Sequence, residues 1–218
     1  MHTYSTDNEL RPKILGGIGV ICYIIVGLLS AAVSFATQNL AIGVAIGVPS
    51  WGVVFAIGLK LFDSWLWDTA PVRRLRLVKA PNLSGEWEGW IGTFYDGDIE
   101  IPEYAVHAEN DPEEEYTRLT ATLTVEQTWR KIGIHLKTKQ SSSDSEGATI
   151  LTTEGKWPSL NYQYENNPPP DTPETMQMHH GTADLELKET PDKDILEGIY
   201  YTGPGRDNHG LMWFKRVE

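Results

Sequence analysis

From Ile14 to Leu59 the chain carries no Asp, Glu, Lys or Arg. No other feature of the 218 residues restricts the fold as tightly. A helix rises about 1.5 Å per residue, so about 20 apolar residues cross a hydrocarbon core roughly 30 Å thick. Ile14–Ala36 supplies 23 residues and Leu40–Leu59 supplies 20, with only Thr37-Gln38-Asn39 between them. Two spans joined by so short a turn make an antiparallel transmembrane hairpin. A cleaved leader ending near Ser34-Phe35-Ala36 is the competing reading, but the run is long for one and a second span follows at once. Arg11 and Lys13 precede the first span, and Lys60, Arg73, Arg74, Arg76 and Lys79 follow the second, whereas the turn has no basic residue. Lys and Arg stay on the cytoplasmic side, so the reading is a multi-pass inner-membrane protein with both termini in the cytoplasm.

Small residues punctuate the spans: Gly16, Gly17, Gly19 and Gly27 in the first, and a Gly43–Gly47 GxxxG in the second. They allow close helix approach, either within the hairpin or between copies. Pro49 predicts a kink, and Trp65 and Trp67 fall where an interfacial aromatic belt would lie. The lone cysteine, Cys22, permits no intrachain disulfide. Residues 1–13 read as a cytoplasmic tail, 14–59 as the hairpin, and 60–82 as a basic juxtamembrane connector suited to an anionic leaflet.

Residues 83–218 are different. They hold 11 Lys/Arg against 26 Asp/Glu, a net charge of −15. A field of that sign repels nucleic acid and anionic lipid, which excludes a general DNA or RNA binder. Leu119, Ala121, Leu123 and Val125 alternate with threonines, a period of two that marks a half-buried strand. Similar patterns start near Gly85, Ile132, Ala148, Leu160, Thr182, Ile195 and Gly210, separated by Gly, Pro, Ser and Asp clusters. About eight antiparallel strands with no convincing soluble helix point to a small up-and-down β-barrel in the cytosol, since closure removes exposed edges, with a two-sheet sandwich as the competing arrangement. The Trp87 side of the opening strand is taken as the inward face. The acidic run 96–115 reads as a solvated loop.

Enzyme chemistry is not visible: there is no GxSxG, P-loop or HExxH motif. His179 and His180 are adjacent, so on a strand they point to opposite faces. No cofactor and no metal site is expected. Binding chemistry is easier to find, because aromatic faces stack on bases and a guanidinium fork fits phosphate. Tyr201 with Arg206 is the minimal pair for a nucleotide; a structural role for both is the competing reading.

Several segments occur in an order that resembles a known family. They are Asn82-Leu83-Ser84-Gly85-Glu86-Trp87, Val125-Glu126-Gln127-Thr128-Trp129, the Ser141–Ser145 run, Leu160–Asn166, His180-Gly181-Thr182-Ala183, and Gly198–Gly203 with Arg206 before Lys215-Arg216. The chain is similar to the two-transmembrane, β-strand-rich effectors of CBASS antiphage systems. That resemblance implies a barrel that binds a cyclic oligonucleotide, in the first place a cyclic dinucleotide, supplied by a partner synthase. It implies homo-oligomerisation on activation, disruption of the lipid bilayer and cell death. The ligand-binding residues chosen from the matching segments are Trp129, Tyr162, Tyr164, Asn166, His180, Tyr201, Thr202 and Arg206. A membrane-tethered lipid- or small-ligand-binding barrel, or a scaffold module without enzymatic activity, stays open beside it.

Overall fold

The computed structural model describes residues 1–7, 10–39, 47–94, 105–106, 116–139, 141–152, 155–168, 178–190, 194–203 and 208–217. All eight strands read from the period-two pattern form: β2 (Gly85–Thr93), β4 (Thr117–Gln127), β5 (Lys131–Lys137), β6 (Ser142–Leu151), β7 (Ser159–Asn167), β8 (His179–Glu189), β9 (Asp194–Thr202) and β10 (His209–Arg216). Successive strands from β4 to β10 pair antiparallel, β10 pairs with β2, and β2 pairs with β4, which closes the barrel. A two-residue strand, β3 (Ala105–Val106), pairs with the start of β4.

Alternation places one residue in two inside. Trp87, Leu123, Ile132, Ile150, Leu160, Leu185, Leu196 and Phe214 are all essentially inaccessible, so side chains fill the interior. Trp87 faces inward as taken from the sequence, its indole N–H donating to the Leu83 carbonyl at 3.0 Å. A filled interior leaves no apolar chamber for a lipid tail among these residues, which counts against the lipid-binding alternative.

The barrel has a ninth stave that the sequence reading left in the N-terminal tail. Strand β1 (His2–Thr6) sits where β5 and β6 part. Those two strands pair directly only over His135–Lys137 and Ser142–Asp144. Beyond that point His2 and Thr3 pair with Ile132 and Lys131 of β5, and Tyr4, Ser5 and Thr6 run parallel to Ala148, Thr149 and Ile150 of β6. Tyr4 is buried. Asp7 seals the end: its carboxylate accepts from the Thr152 N–H at 2.9 Å and hydroxyl at 2.8 Å. Met1–Asp7 and Ala80–Glu218 thus form one compact unit, and Asn8–Lys79 forms the other.

In the helical unit, α1 (Arg11–Asn39) contains the whole first expected span. Residues 11–38 are long and apolar enough to cross a membrane, and their side chains are almost all exposed. The second expected span, 40–59, is not seen as one helix. Residues 40–46, with most of the GxxxG, lie outside the described set. Helix α2 (Trp51–Ser64) has 14 residues, about 21 Å at the helical rise, so the described chain contains one membrane-length helix rather than two. Pro49 kinks nothing, because it precedes the N-cap residue Ser50, a place where proline is tolerated. Among the described residues, α1 and α2 come close at Gly19 and Gly58. The Trp51 indole donates to the Gly19 carbonyl at 3.1 Å, and Gly58 packs on Cys22. Trp65 is exposed, but Trp67 is buried, with Arg73 over its ring at 5.0 Å and ion-paired to Asp68, so Trp67 belongs to no aromatic belt. The connector is folded, into a 3-10 turn (Leu66–Asp68) and α3 (Ala70–Arg74).

Candidate ligand-binding end of the barrel

The connections after β2, β5, β7 and β9 share one end of the barrel, here the loop end; those after β4, β6 and β8 share the turn end. The interior changes character between them. Toward the turn end it is Trp87, Leu123, Phe214, Leu187 and Leu196. Toward the loop end it is Tyr162, Tyr164, Asn166, Ser143, Thr93 and Tyr200. Tyrosines, a carboxamide and hydroxyls inside a barrel require partners or a ligand, because unpaired polar groups are costly to bury.

Strand β7 builds most of this end, with Tyr162, Tyr164 and Asn166 on its inward side. The Tyr162 and Tyr164 rings lie 6.1 Å apart, and Tyr164 stands edge-on to His179 at 6.4 Å. Space for Tyr164 comes from the glycine across the ladder. Gly181 is its register partner, and a Cβ there would overlap the Tyr164 ring and stand 2.6 Å from the Tyr201 carbonyl. Burial, reinforced by Tyr164, pushes the Tyr162 phenol well above its ordinary range; among the described residues its hydroxyl donates to the Met212 Sδ, at 4.0 Å. Asn166 opposes Ser143 of β6 on one side and His179 of β8 on the other.

Thr202 also lies at the loop end, but its hydroxyl is occupied. It donates to the Asn208 carbonyl at 2.9 Å and accepts from the Asn208 N–H at 3.0 Å. Asn208 in turn donates from Nδ2 to Thr93 Oγ1 at 3.1 Å, which ties β9, β10 and β2 together. Arg206, between these residues in sequence, lies outside the described set.

His180 and Tyr201 are on the other side of the wall. Parity turns them outward, where they line a shallow concavity of about 300 Å³ with Glu146, Gln163 and Thr182. A neighbouring concavity of about 510 Å³ shares Gln163, Thr182 and Tyr201 and adds Asn161 and Asp184. Glu146 reaches this surface from a bulge between Ser145 and Gly147, the irregularity that re-aims a side chain. His180 Nδ1 is 3.4 Å from Glu146, and His180 Nε2 is 4.0 Å from Glu165. Ligand atoms of these three lie within 4.8 Å of one another and are the described group that could reach a single cation.

Trp129 is not brought to either place. It is buried in the β4–β5 turn, at the turn end. The sequence reading also missed an outer aromatic row. Tyr201, His209, Phe94, Tyr116 and Trp90 follow one another at centroid separations of 6.4, 5.1, 5.4 and 6.0 Å. Arg118 lies 4.4 Å over Trp90. Its signal was the outward parity of these positions, legible only once the register is known.

Fold and site define a class: a closed β-barrel with a polar, aromatic interior end, carried on a unit with a membrane-length helix. Comparison with known proteins makes this specific. Residues 78–216, the barrel from before β2 to the end of β10, match the family described as Cap15, cyclic dinucleotide receptor domain. The chain is also 31% identical over 184 residues to CD-NTase-associated protein 15 of Yersinia aleksiciae, covering 81% of this chain and 69% of that protein. The chain belongs to the Cap15 family of CBASS effectors.

Proposed function

We propose that this chain is a CBASS effector whose barrel binds a cyclic oligonucleotide, in the first place a cyclic dinucleotide, made by a partner synthase. Ligand-bound barrels self-associate, and the helical units they gather disrupt the inner membrane. The observation that carries the reading is the family match, which spans β2 to β10 and so covers the whole polar interior end. Tyr162, Tyr164, Asn166 and Thr202 line that end, with His179 beside them, and Arg206 follows Thr202 in sequence.

Among the described side chains, charge favours the interior of this end over the outer concavities. The ligand's phosphodiesters are anionic, and Glu146, Glu165 and Asp184 face outward beside His180. The described inward groups at this end include no carboxylate. A second reading puts the ligand outside, with Tyr201 and the aromatic row as its stacking surface; the length of that row supports it.

The hairpin topology is part of the proposal. Strands β1 and β2 are staves of one barrel, so the chain leaves the barrel at Asp7 and returns to it at Ala80. A chain that crosses a bilayer once cannot return to the same side; an even number of crossings can. If α1 crosses, the chain crosses back before Ala80, and both flanks lie in the cytoplasm, as the Lys and Arg placement requires. Assembly follows from ligand only if the assembled state binds it more tightly than the resting one.

The full chain, in detergent and in nanodiscs, should be titrated with a panel of cyclic di- and trinucleotides. Saturable binding with ligand-dependent growth in size by light scattering is expected. No binding to any member would refute the reading. Binding without a change in size, together with no ligand-dependent dye leakage from reconstituted vesicles, would keep the receptor and reject the membrane step.

A further inference from the structure

Two inward side chains at the loop end make no side-chain hydrogen bond among the described residues. Ser143 of β6 and Asn166 of β7 are direct register partners, 3% and 8% exposed. Among the described residues neither the Ser143 hydroxyl nor the Asn166 carboxamide makes a hydrogen bond. Their neighbours differ: Thr93 is held by Asn208, and Thr202 is closed onto the Asn208 backbone. The two side chains are mostly buried, yet their polar atoms keep some accessible surface, so they stay open to an incoming group that can hydrogen-bond them.

The chemistry of the pair narrows what that is. A carboxamide offers two donors and a carbonyl acceptor, and a hydroxyl offers a donor and two acceptor lone pairs. Either group can donate to a phosphate oxygen, but a phosphate accepts only and would leave the pair's acceptors unused. The pair is well matched to a neutral edge that presents donors and acceptors side by side, as a nucleobase does. Flat partners stand next to it: Tyr164 two residues along β7, and His179 opposite Asn166.

We propose that Ser143 and Asn166 form a base-reading subsite, which hydrogen-bonds the edge of one nucleobase of the ligand and sets which bases the receptor accepts. This rests on the cyclic-nucleotide reading above and adds to it the residues that discriminate. Ser143 belongs to the serine run that otherwise looks like linker, and its role is specificity rather than attachment of the phosphates.

A pair that bonds nothing in the fold should matter to binding and not to stability. Asn166→Leu and Ser143→Ala remove the unpaired groups, so the ligand-free full chain in detergent should unfold at the same temperature as wild type or higher. Calorimetric titration with the best cyclic dinucleotide should show Kd raised at least tenfold for Asn166→Leu. Asn166→Asp keeps the shape but loses the amide donors, and should reorder the affinities of a panel differing only in base. Wild-type binding with Ser143→Ala and Asn166→Leu both unchanged overturns the subsite while leaving the receptor reading intact. A uniform loss across the panel in Asn166→Asp overturns base reading, since it reports only added charge. Absence of wild-type binding to every member sinks the receptor reading, and this inference with it. Should Asn166→Leu misfold, Ser143→Ala with the same panel decides alone: unchanged affinities and ranking overturn the proposal, and a changed ranking upholds it.

Discussion

Replacing Tyr4 by Ala tests whether the N-terminus is a stave of the barrel or a tail. In the structure Tyr4 is 3% exposed and lies in β1 between two ladders. Its N–H donates to the Arg130 carbonyl at 3.3 Å, and its hydroxyl accepts from Gln127 Nε2 at 3.5 Å. The second contact is at the long limit and adds little, so the ring's burial sets the magnitude. Truncating a buried aromatic to Ala costs about 3–5 kcal/mol, transfer and cavity terms together. A domain of this size shifts by about 2–4 °C per kcal/mol, so the midpoint should fall on the order of 10 °C. Near-UV circular dichroism of the full chain in detergent follows the barrel through its buried aromatics. Thr3→Ala, at an exposed position in the same strand, is the control and should stay within about 0.5 kcal/mol. If Tyr4→Ala melts with the control, residues 2–6 do not hold the barrel together and the nine-stave description is wrong.

Two further outcomes follow from the loop end. Gly181→Ala drives a Cβ into the Tyr164 ring and within 2.6 Å of the Tyr201 carbonyl; the backbone partner cannot yield as a side chain would, so about 1–3 kcal/mol should be lost in denaturant melts, and a variant as stable as wild type would contradict the register. Tyr162 is neutral in the fold, and its pKa is raised by burial above the ordinary value of about 10. The folded state therefore holds this proton more tightly than the unfolded state. Its contribution is complete below about pH 10 and is lost as pH rises toward the folded value. Stability measured from pH 8 upward should fall less steeply in Tyr162→Phe than in wild type, and equal slopes would count against the burial argument.

What the sequence disclosed follows what short-range physics can encode. Alternation revealed all eight principal strands, since a half-buried strand cannot avoid the period. It missed the first half of β6, where Ser142, Ser143, Asp144 and Ser145 give no apolar contrast, and it missed β1, where His2-Thr3-Tyr4-Ser5-Thr6 has a single large ring. Both depend on partners far along the chain: Ser143 on Asn166, and Tyr4 on Ala148. The candidate site divides in the same way. Tyr162, Tyr164 and Asn166 share a face because they are two apart on one strand. Putting His180 and Tyr201 with them required cross-strand register, and register turns those two outward. Trp129 was grouped by motif, and topology sends the β4–β5 turn to the opposite end. The second span was read from hydropathy over 40–59, and the described part of that stretch forms α2 only after its N-cap Ser50.

Coupling between the loop end and the helical unit can run through the chain that both share, provided that the ligand makes differential contacts in the two states. The barrel joins the helices at two points. One is Ala80–Ser84, held at the turn end by Gln127, whose Oε1 accepts from the Leu83 N–H at 2.7 Å and whose Nε2 donates to the Pro81 carbonyl at 3.0 Å. The other is β1, which leads through Asp7 toward α1. Strand β6 reaches both the loop end and β1. Ser143 faces the candidate ligand, and two residues on, Ser145 Oγ accepts from the Ile134 N–H at 2.9 Å and lies 2.8 Å from His2 Nε2. Ala148–Ile150 then carry the parallel ladder to β1. Between Ser145 and Ala148 stands the Glu146 bulge, where the ladder is already interrupted and a small displacement breaks the fewest hydrogen bonds. Under the proposed function, one path from the loop end toward α1 runs along β6 into β1, the strand that hydropathy and family motifs alike had passed over.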